Sequence, residues 1–252
     1  MENIETVVVG KRAVLEYLQR SPEKIDSVLV QDNRRKDVGA VLDLCRKAGV
    51  RFQFVPKGKL DQETKAAHQG VAARIYEPGY SDPDNLLRSL ETARFPVLLA
   101  LDQLQDSGNI GTLARTLFAF GGAGVVLPVN RTAFLGGRAQ KTAAGALGKL
   151  PVARVNNLAR FLRSCRDSLC HTLYAGTGPA CGDIFAERPS WPLVLVLGNE
   201  ERGVRPGVAK ECDRGITIPM PGAFDSLNVA QAGAVILGQL LRQRLAETQT
   251  GS

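Results

Sequence analysis

From Phe95 onward the chain alternates continuous apolar runs with segments of helical period, and this alternation constrains the fold more than any other feature. VLLAL, AGVVLPV, TLYAG, LVLVLG and GITIPM show no polar alternation. Each therefore reads as a strand buried on both faces, the pattern of a parallel sheet. LARTLFAF, AQKTAAGALGKL and LARFLRSC lie among them with helical spacing. Strand and helix in turn predict an open α/β sheet with crossover connections.

The first part of the chain is built on a smaller scale. VVVGKRAVLEYLQ, IDSVLVQ, VLDLCRKAGVRFQFVP, a helix-like DQETKAAH and VAARIY follow one another as short strands and helices, closing near Tyr76. EPGYSDPDN comes next, with Pro78, Gly79, Pro83 and several acids, and reads as a linker or a turn into a new domain. The expected organisation is a small α/β domain over 1–77, a linker leading inward over 78–94, and a large α/β domain over 95–246. The tail after Arg244, LAETQTGS, is polar and is expected to fray.

Composition narrows the class of partner. With 252 residues, 44% of them hydrophobic, the chain can bury a full core, and its net charge of +7 favours an anionic partner without naming one. The longest basic run, Arg34-Arg35-Lys36, suits a solvated turn as well as a phosphate site. Five cysteines form no C-x-x-C pair and only His68 and His171 accompany them, so a structural metal site is not expected. Reduced, mostly buried thiols in a cytosolic protein are the simpler reading. Glu2 and Glu5 stand where a signal peptide needs positive charge, and no uncharged stretch reaches a membrane-spanning length. A cytoplasmic protein without a membrane partner is expected.

Three segments gather the residues that can carry chemistry. In DQLQDSGNIGTLAR, Asp102 to Arg115, a strand end runs through turn and cap residues into a helix, presenting main-chain N–H groups and the positive helix end. Plain helix capping explains that pattern too. In LVLVLGNEERGV, Asn199, Glu200 and Glu201 stand at the carboxyl end of a buried strand, where open α/β sheets bind ligands. A capping or ion-paired glutamate is the structural alternative there. In IPMPGAFDSLNVAQAGA, a strand ending at Ile218 and Met220 passes through Pro/Gly turns to Ser226, Leu227 and Asn228, with Ser226 placed to cap a helix over Val229 to Leu241. No G-x-G-x-x-G fingerprint and no P-loop lysine motif is present.

Taken together and in this order, the three segments resemble the SPOUT-class RNA ribose 2′-O-methyltransferases of the TrmH/SpoU family, over roughly the last two thirds of the chain. GKRAVLEYL and HQGVAARI resemble the small ribosomal-protein-like substrate domain fused in front of many of these rRNA methyltransferases. The resemblance implies a C-terminal α/β knot, a parallel sheet with a deep trefoil knot, plus a small N-terminal α/β RNA-binding domain. It implies methyl transfer from S-adenosylmethionine to a ribose 2′-hydroxyl of structured RNA, 23S rRNA and guanosine favoured, by a homodimer that needs no metal. Asn109, Arg115, Glu200, Ser226 and Asn228 match its catalytic positions, and Thr177, Leu197, Gly198, Ile218, Met220 and Leu227 its donor site. Lys11, Arg12, Arg34, Arg35 and Lys36 would clamp RNA backbone. Two departures stand out: the family has Asp-Pro where this chain has Asp106-Ser107, and often Ser where it has Ala230.

The resemblance gives Arg115 a part in activating the hydroxyl, but a guanidinium keeps its proton up to a pKa of about 12 or more. Fixing an RNA phosphate and offsetting oxyanion charge is an equal reading, with Glu200 or a phosphate oxygen taking the proton. The rivals are a tRNA methyltransferase of the same class, a catalytically silent RNA-binding protein with this fold, and a plain nucleotide-binding module.

Overall fold

The computed structural model describes residues 4–250 apart from 65, 78, 134, 179 and 223–225. The chain divides into two compact units, Met1–Gly79 with Phe134–Gly137, and Tyr80–Ala133 with Arg138–Ser252.

The first unit holds β1 (Ile4–Val9), α1 (Lys11–Arg20), β2 (Ile25–Gln31), α2 (Gly39–Ala48), β3 (Arg51–Val55), α3 (Lys57–Glu63) and β4 (Val71–Glu77). Its sheet has the order β1-β4-β2-β3, with β4 antiparallel to both neighbours and β2 parallel to β3. Val14 and Leu18, one helical turn apart on α1, pack with Val41 and Cys45 of α2 over Val28, Val30 and Ile75 of the sheet. The helix expected over DQETKAAH stands earlier, at Lys57–Glu63, because Leu60 is the apolar anchor that the sheet buries completely.

The second unit holds α4 (Pro83–Thr92), β5 (Phe95–Asp102), α5 (Ser107–Ala119), β6 (Gly122–Pro128), α6 (Gly137–Ala143), β7 (Val152–Val155), α7 (Leu158–Asp167), β8 (His171–Ala175), β9 (Cys181–Asp183), β10 (Leu193–Gly198), α8 (Pro206–Ala209), β11 (Arg214–Thr217) and α9 (Val229–Thr250). All its strand pairings are parallel, in the order β7-β6-β5-β10-β8-β11-β9. Every residue of β5 and β10 is buried, as strands covered on both faces must be. On one face Leu86 and Leu90 of α4 join Phe161, Leu162 and Cys165 of α7 against Leu98, Val126 and Val194. Elsewhere α9 lies so close to α5 that a Cβ on Gly233 would stand 2.3 Å from Leu113 Cδ2 and 2.8 Å from Leu197 Cδ1.

Four expectations shift. The stretch read as linker carries α4, started by the Asp82 carboxylate, which accepts from Asp84 N at 2.8 Å, with Pro83 in the first turn. AQKTAAGALGKL breaks after Ala143, where Ala144 and Gly145 take φ of 48° and 87°. GITIPM ends as a strand at Thr217, leaving Ile218 and Met220 in the following loop. The C-terminal helix does not stop at Leu241 or fray after Arg244 but runs to Thr250. Trp191 holds that last part: its Nε1–H donates to Glu247 Oε2 at 2.7 Å, and the Arg244 guanidinium lies 5.7 Å from its ring, which packs on Phe95.

Candidate active site

The order of the large sheet reverses between β5 and β10: β6 and β7 are added on one side, and β8, β11 and β9 on the other. Such a switch point opens a crevice beyond the carboxyl ends of the strands. Gly198 and Asp102 are register partners there, so the first two sequence motifs leave the sheet side by side. Asn109 Nδ2 then donates to Glu200 Oε1 at 3.0 Å, across 91 residues of sequence.

Local chemistry fixes each partner. The residue that caps α5 is Asp106, whose Oδ1 accepts from Gly108 N at 2.6 Å and Asn109 N at 3.2 Å. Ser107 occupies the first helical position, the place that tolerates proline best. Its replacement of proline therefore leaves the cap intact. Asp106 Oδ2 also accepts from Arg138 Nη2 at 2.9 Å.

The turn bearing Glu200 is pinned at both ends. Asn199 and Gly203 exchange main-chain hydrogen bonds, Asn199 Nδ2 donates to Gln103 O at 3.1 Å, and Asn199 Oδ1 accepts from the N–H groups of Glu201 and Arg202. At the far end Arg205 donates to the fully buried Asp102 carboxylate three ways, from N at 2.9 Å, Nε at 2.9 Å and Nη2 at 2.7 Å. Close packing of the turn requires glycine at position 198. A Cβ there would lie 2.1 Å from Gly203 C and 2.2 Å from Val204 N, so a side chain would prevent its own turn from closing.

The residues that the resemblance matches to a donor site follow neighbouring strands. β8 lies between β10 and β11, and Gly176 N donates to Ile216 O at 2.9 Å, which brings Thr177, Gly198 and Ile218 to one edge. Thr177 and Leu227 are exposed there, while Ile218 and Met220 are half-buried. Leu197 differs: its side chain is core, so only its main chain faces the edge. Beside these residues Tyr174 keeps its proton, its pKa pushed up by the Cys181 thiol and by burial.

The cap of α9 is Asn228, not Ser226: Asn228 Oδ1 accepts from Ala230 N at 2.8 Å and its carbonyl from Ala232 N. Ser226 is exposed. Arg115 stands on the solvent side of α5, about 9 Å along the axis from Asn109, and no hydrogen bond engages it among the described residues. One chain thus brings Asn109 and Glu200 together, and among the described residues no hydrogen bond joins Arg115, Ser226 or Asn228 to them.

A cleft of about 720 Å³ opens beside Glu200, lined by Arg202 of the second motif and by two cations that the motifs do not reveal, Arg131 and Arg138. Its floor includes Gln103, and Gln103 and Arg131 both take positive φ, 60° and 58°. Strained non-glycine residues gather at functional sites, but this signal is absent from a sequence. In the first unit Lys11, Arg12 and Arg34 are exposed, and the side chains of Arg35 and Lys36 lie outside the described residues. Burial raises the thiol of Cys45 to about 11 and that of Cys212 to about 12, and Cys165 and Cys170 shift the same way. Among the described residues no three His, Cys, Asp or Glu side chains cluster as metal ligands, and no helix is long and apolar enough to cross a membrane.

Comparison with known proteins matches this architecture. Residues 96–238 fit the model of the SpoU rRNA Methylase family, and residues 7–81 fit that of RNA 2′-O ribose methyltransferase substrate binding. The 23S rRNA (guanosine-2′-O-)-methyltransferase RlmB of Haemophilus influenzae is 35% identical over 240 residues, 94% of this chain and 98% of that protein. The AdoMet-bound rRNA methyltransferase from Sinorhizobium meliloti superposes with a TM-score of 0.61 at 25% identity, over 94% of this chain and 86% of that one. The SpoU methyltransferase AviRb from Streptomyces viridochromogenes shares the fold, with a TM-score of 0.62 at 23% identity over 96% and 91% of the two chains.

Proposed function

Because the chain belongs to the SpoU rRNA methylase family and is an S-adenosylmethionine-dependent RNA ribose 2′-O-methyltransferase, we propose that its acceptor is a guanosine 2′-hydroxyl of 23S rRNA. The observation that carries the reading is the Asn109–Glu200 hydrogen bond at the switch point, which joins two distant motifs into one polar site. The 35% identity along nearly the whole length of a 23S rRNA (guanosine-2′-O-)-methyltransferase favours ribosomal RNA over tRNA.

The donor edge offers main-chain groups after β8, β10 and β11 together with the apolar side chains of Ile218, Met220 and the exposed Leu227. Such a set fits a neutral purine joined to an aliphatic sulfonium chain. When bound, S-adenosylmethionine supplies a methyl group that is already electrophilic. The protein's burden is then alignment and proton removal. Asn109 orients the Glu200 carboxylate, which accepts the proton of the 2′-hydroxyl. Arg115 holds the RNA phosphate and offsets the oxyanion charge that develops, while Ser226 and the Nδ2 group of Asn228 orient the ribose. Arg131, Arg138 and Arg202 add cationic lining for the RNA backbone.

The same reading includes a homodimer, whose second copy would complete the set that one chain leaves apart. The apolar faces of α5 and α9 are spent on each other within the chain, so the outer faces, with the exposed Phe118 and Val235, would serve. It includes a deep trefoil knot, a first domain of residues 1–77 that clamps RNA through Lys11, Arg12 and Arg34, and a cytoplasmic location. Labelled S-adenosylmethionine incubated with total bacterial RNA, followed by nuclease digestion and mass spectrometry, tests it. The expected product is 2′-O-methylguanosine in 23S rRNA, absent with Arg115→Ala. A base-methylated nucleoside, or a product confined to tRNA, would overturn it.

A further inference from the structure

The first unit carries a turn whose construction the clamp of basic residues does not explain. His68-Gln69-Gly70-Val71 connects α3 to β4, with Val71 N donating to His68 O at 2.9 Å and φ of 51° and 83° at its two central residues. Positive φ at both is the requirement of a type I′ turn, which Asn-Gly meets cheaply and Gln-Gly does not, since a long side chain in the left-handed region is strained. Glutamine nevertheless holds the place. The strain is contained by His68, which is 7% exposed and uses both ring nitrogens: Nδ1 accepts from Gly70 N at 3.0 Å, and Nε2 pairs with Asp61 Oδ1 at 2.9 Å. Main-chain bonds from Gln31 N to Gly70 O and from Gly10 N to Val71 O fasten the turn to β2 and to the residue before α1. Gly70 is tight besides, because a Cβ there would stand 2.8 Å from Arg34 Cδ.

All this rigidity presents one carboxamide. The Gln69 Oε1 atom lies 3.9 Å from where a Gly10 side chain would begin, beside the start of α1, and no hydrogen bond engages the Gln69 side chain among the described residues. It lines a cleft of about 700 Å³ with Lys11, Arg12, Gln19, Arg20 and Glu16. Arg20 is neutralised by Glu16 at 2.9 Å, which leaves Lys11 and Arg12 as the net charge. Cations beside a carboxamide carried on a braced turn have the chemistry that reads an unstacked base, and glutamine matches the paired donor and acceptor of an adenine edge. We propose that Gln69 is a specificity-determining residue that reads an unpaired adenine of the RNA substrate, with Lys11 and Arg12 holding its flanking phosphates. The inference rests on the reading of the protein as an rRNA methyltransferase, and its test keeps the two separable.

The probe is transcribed 23S rRNA, with binding measured by filter retention on the full-length protein and methylation measured in parallel. Gln69→Gly relieves the strained φ, so its fold is secure, and an unchanged melting temperature verifies this. The expected result is about a tenfold weaker affinity and a matching rise in KM with kcat preserved, the salt slope being unchanged because no phosphate contact is lost. Lys11→Ala, by contrast, should lower that slope by about one counterion. Affinity for 23S rRNA within twofold of wild type in Gln69→Gly overturns the proposal, as does wild-type protein that binds no 23S rRNA. Wild-type binding that depends on Gln69 without any methyl transfer would uphold this site while sinking the proposed reaction.

Discussion

Two turns of this molecule each hold one polar side chain out to solvent, and they are braced in opposite ways. The turn of the first unit is fastened locally: His68 reaches Gly70, two residues on, and Asp61, seven back. The turn at Asn199–Gly203 is fastened from far away, by Gln103 to Asn199 and by Asp102 to Arg205, across 96 and 103 residues. A local brace fixes the shape of a turn, whereas a long-range brace also fixes its position in the sheet. Glu200 needs the second kind, since it must meet Asn109 on another element. Gln69, read as a recognition residue, needs only the first.

Mutations can break this contrast, beginning with the largest effect. Arg115 belongs to neither turn, and Arg115→Ala is expected to cut kcat by about a thousandfold, the scale of a lost oxyanion contact. Equilibrium dialysis should find donor binding nearly intact, and abolished binding would remove Arg115 from its proposed role. Arg205→Ala strips the buried Asp102 carboxylate of its charged partner, leaving only the main-chain N–H of residue 205, and is expected to cost about 3 kcal/mol. In a unit of this size that is roughly a 10 °C fall in Tm by calorimetry, with activity falling as Glu200 loses its place. A Tm within 2 °C of wild type would show that the long-range brace is dispensable. His68→Ala should cost about 2 kcal/mol through the orphaned Gly70 N–H and weaken 23S rRNA binding, while leaving donor affinity unchanged. If donor affinity falls with it, the local brace has a reach that the comparison denies it.

The smallest effect concerns acid. Arg74 donates to Glu63 at the end of α3, Nε to Oε2 at 3.0 Å, and this bond holds the Glu63 carboxyl below its usual range. A depressed folded pKa means the stabilisation is present above the ordinary carboxylate range and is lost as pH falls through the folded value. Glu63→Gln should therefore destabilise the protein by about 1 kcal/mol at neutral pH and by nothing in strong acid. Equal destabilisation by urea titration at both pH values would contradict this assignment.

What the residues disclose in advance follows the same division. Continuous apolar runs announced β5, β6, β8, β10 and β11, because burial on both faces writes itself into consecutive positions. The short β7 and β9 left no such trace, and neither did α4, whose Asp82-Pro83 start was submerged in a stretch rich in turn residues. The loops after β5, β10 and β11 could be located, yet nothing in their own residues pairs Asn109 with Glu200 or Arg205 with Asp102. Those partnerships exist only once the parallel register sets Gly198 beside Asp102. Even the caps were ambiguous: Asp106 among the turn and cap residues of its segment, and Asn228 rather than Ser226, became distinct only when side-chain geometry chose between neighbouring candidates.

Trp191 is the single tryptophan of the chain. Because its indole packs at a tilt against Phe95, is covered by Arg244 and is bonded to Glu247, its emission reports on the seam between the large sheet and the end of α9. An optical probe of the second unit is therefore built in. Its fluorescence can be followed through denaturant while circular dichroism averages over both units, and the difference between the two curves would expose a first unit that melts on its own.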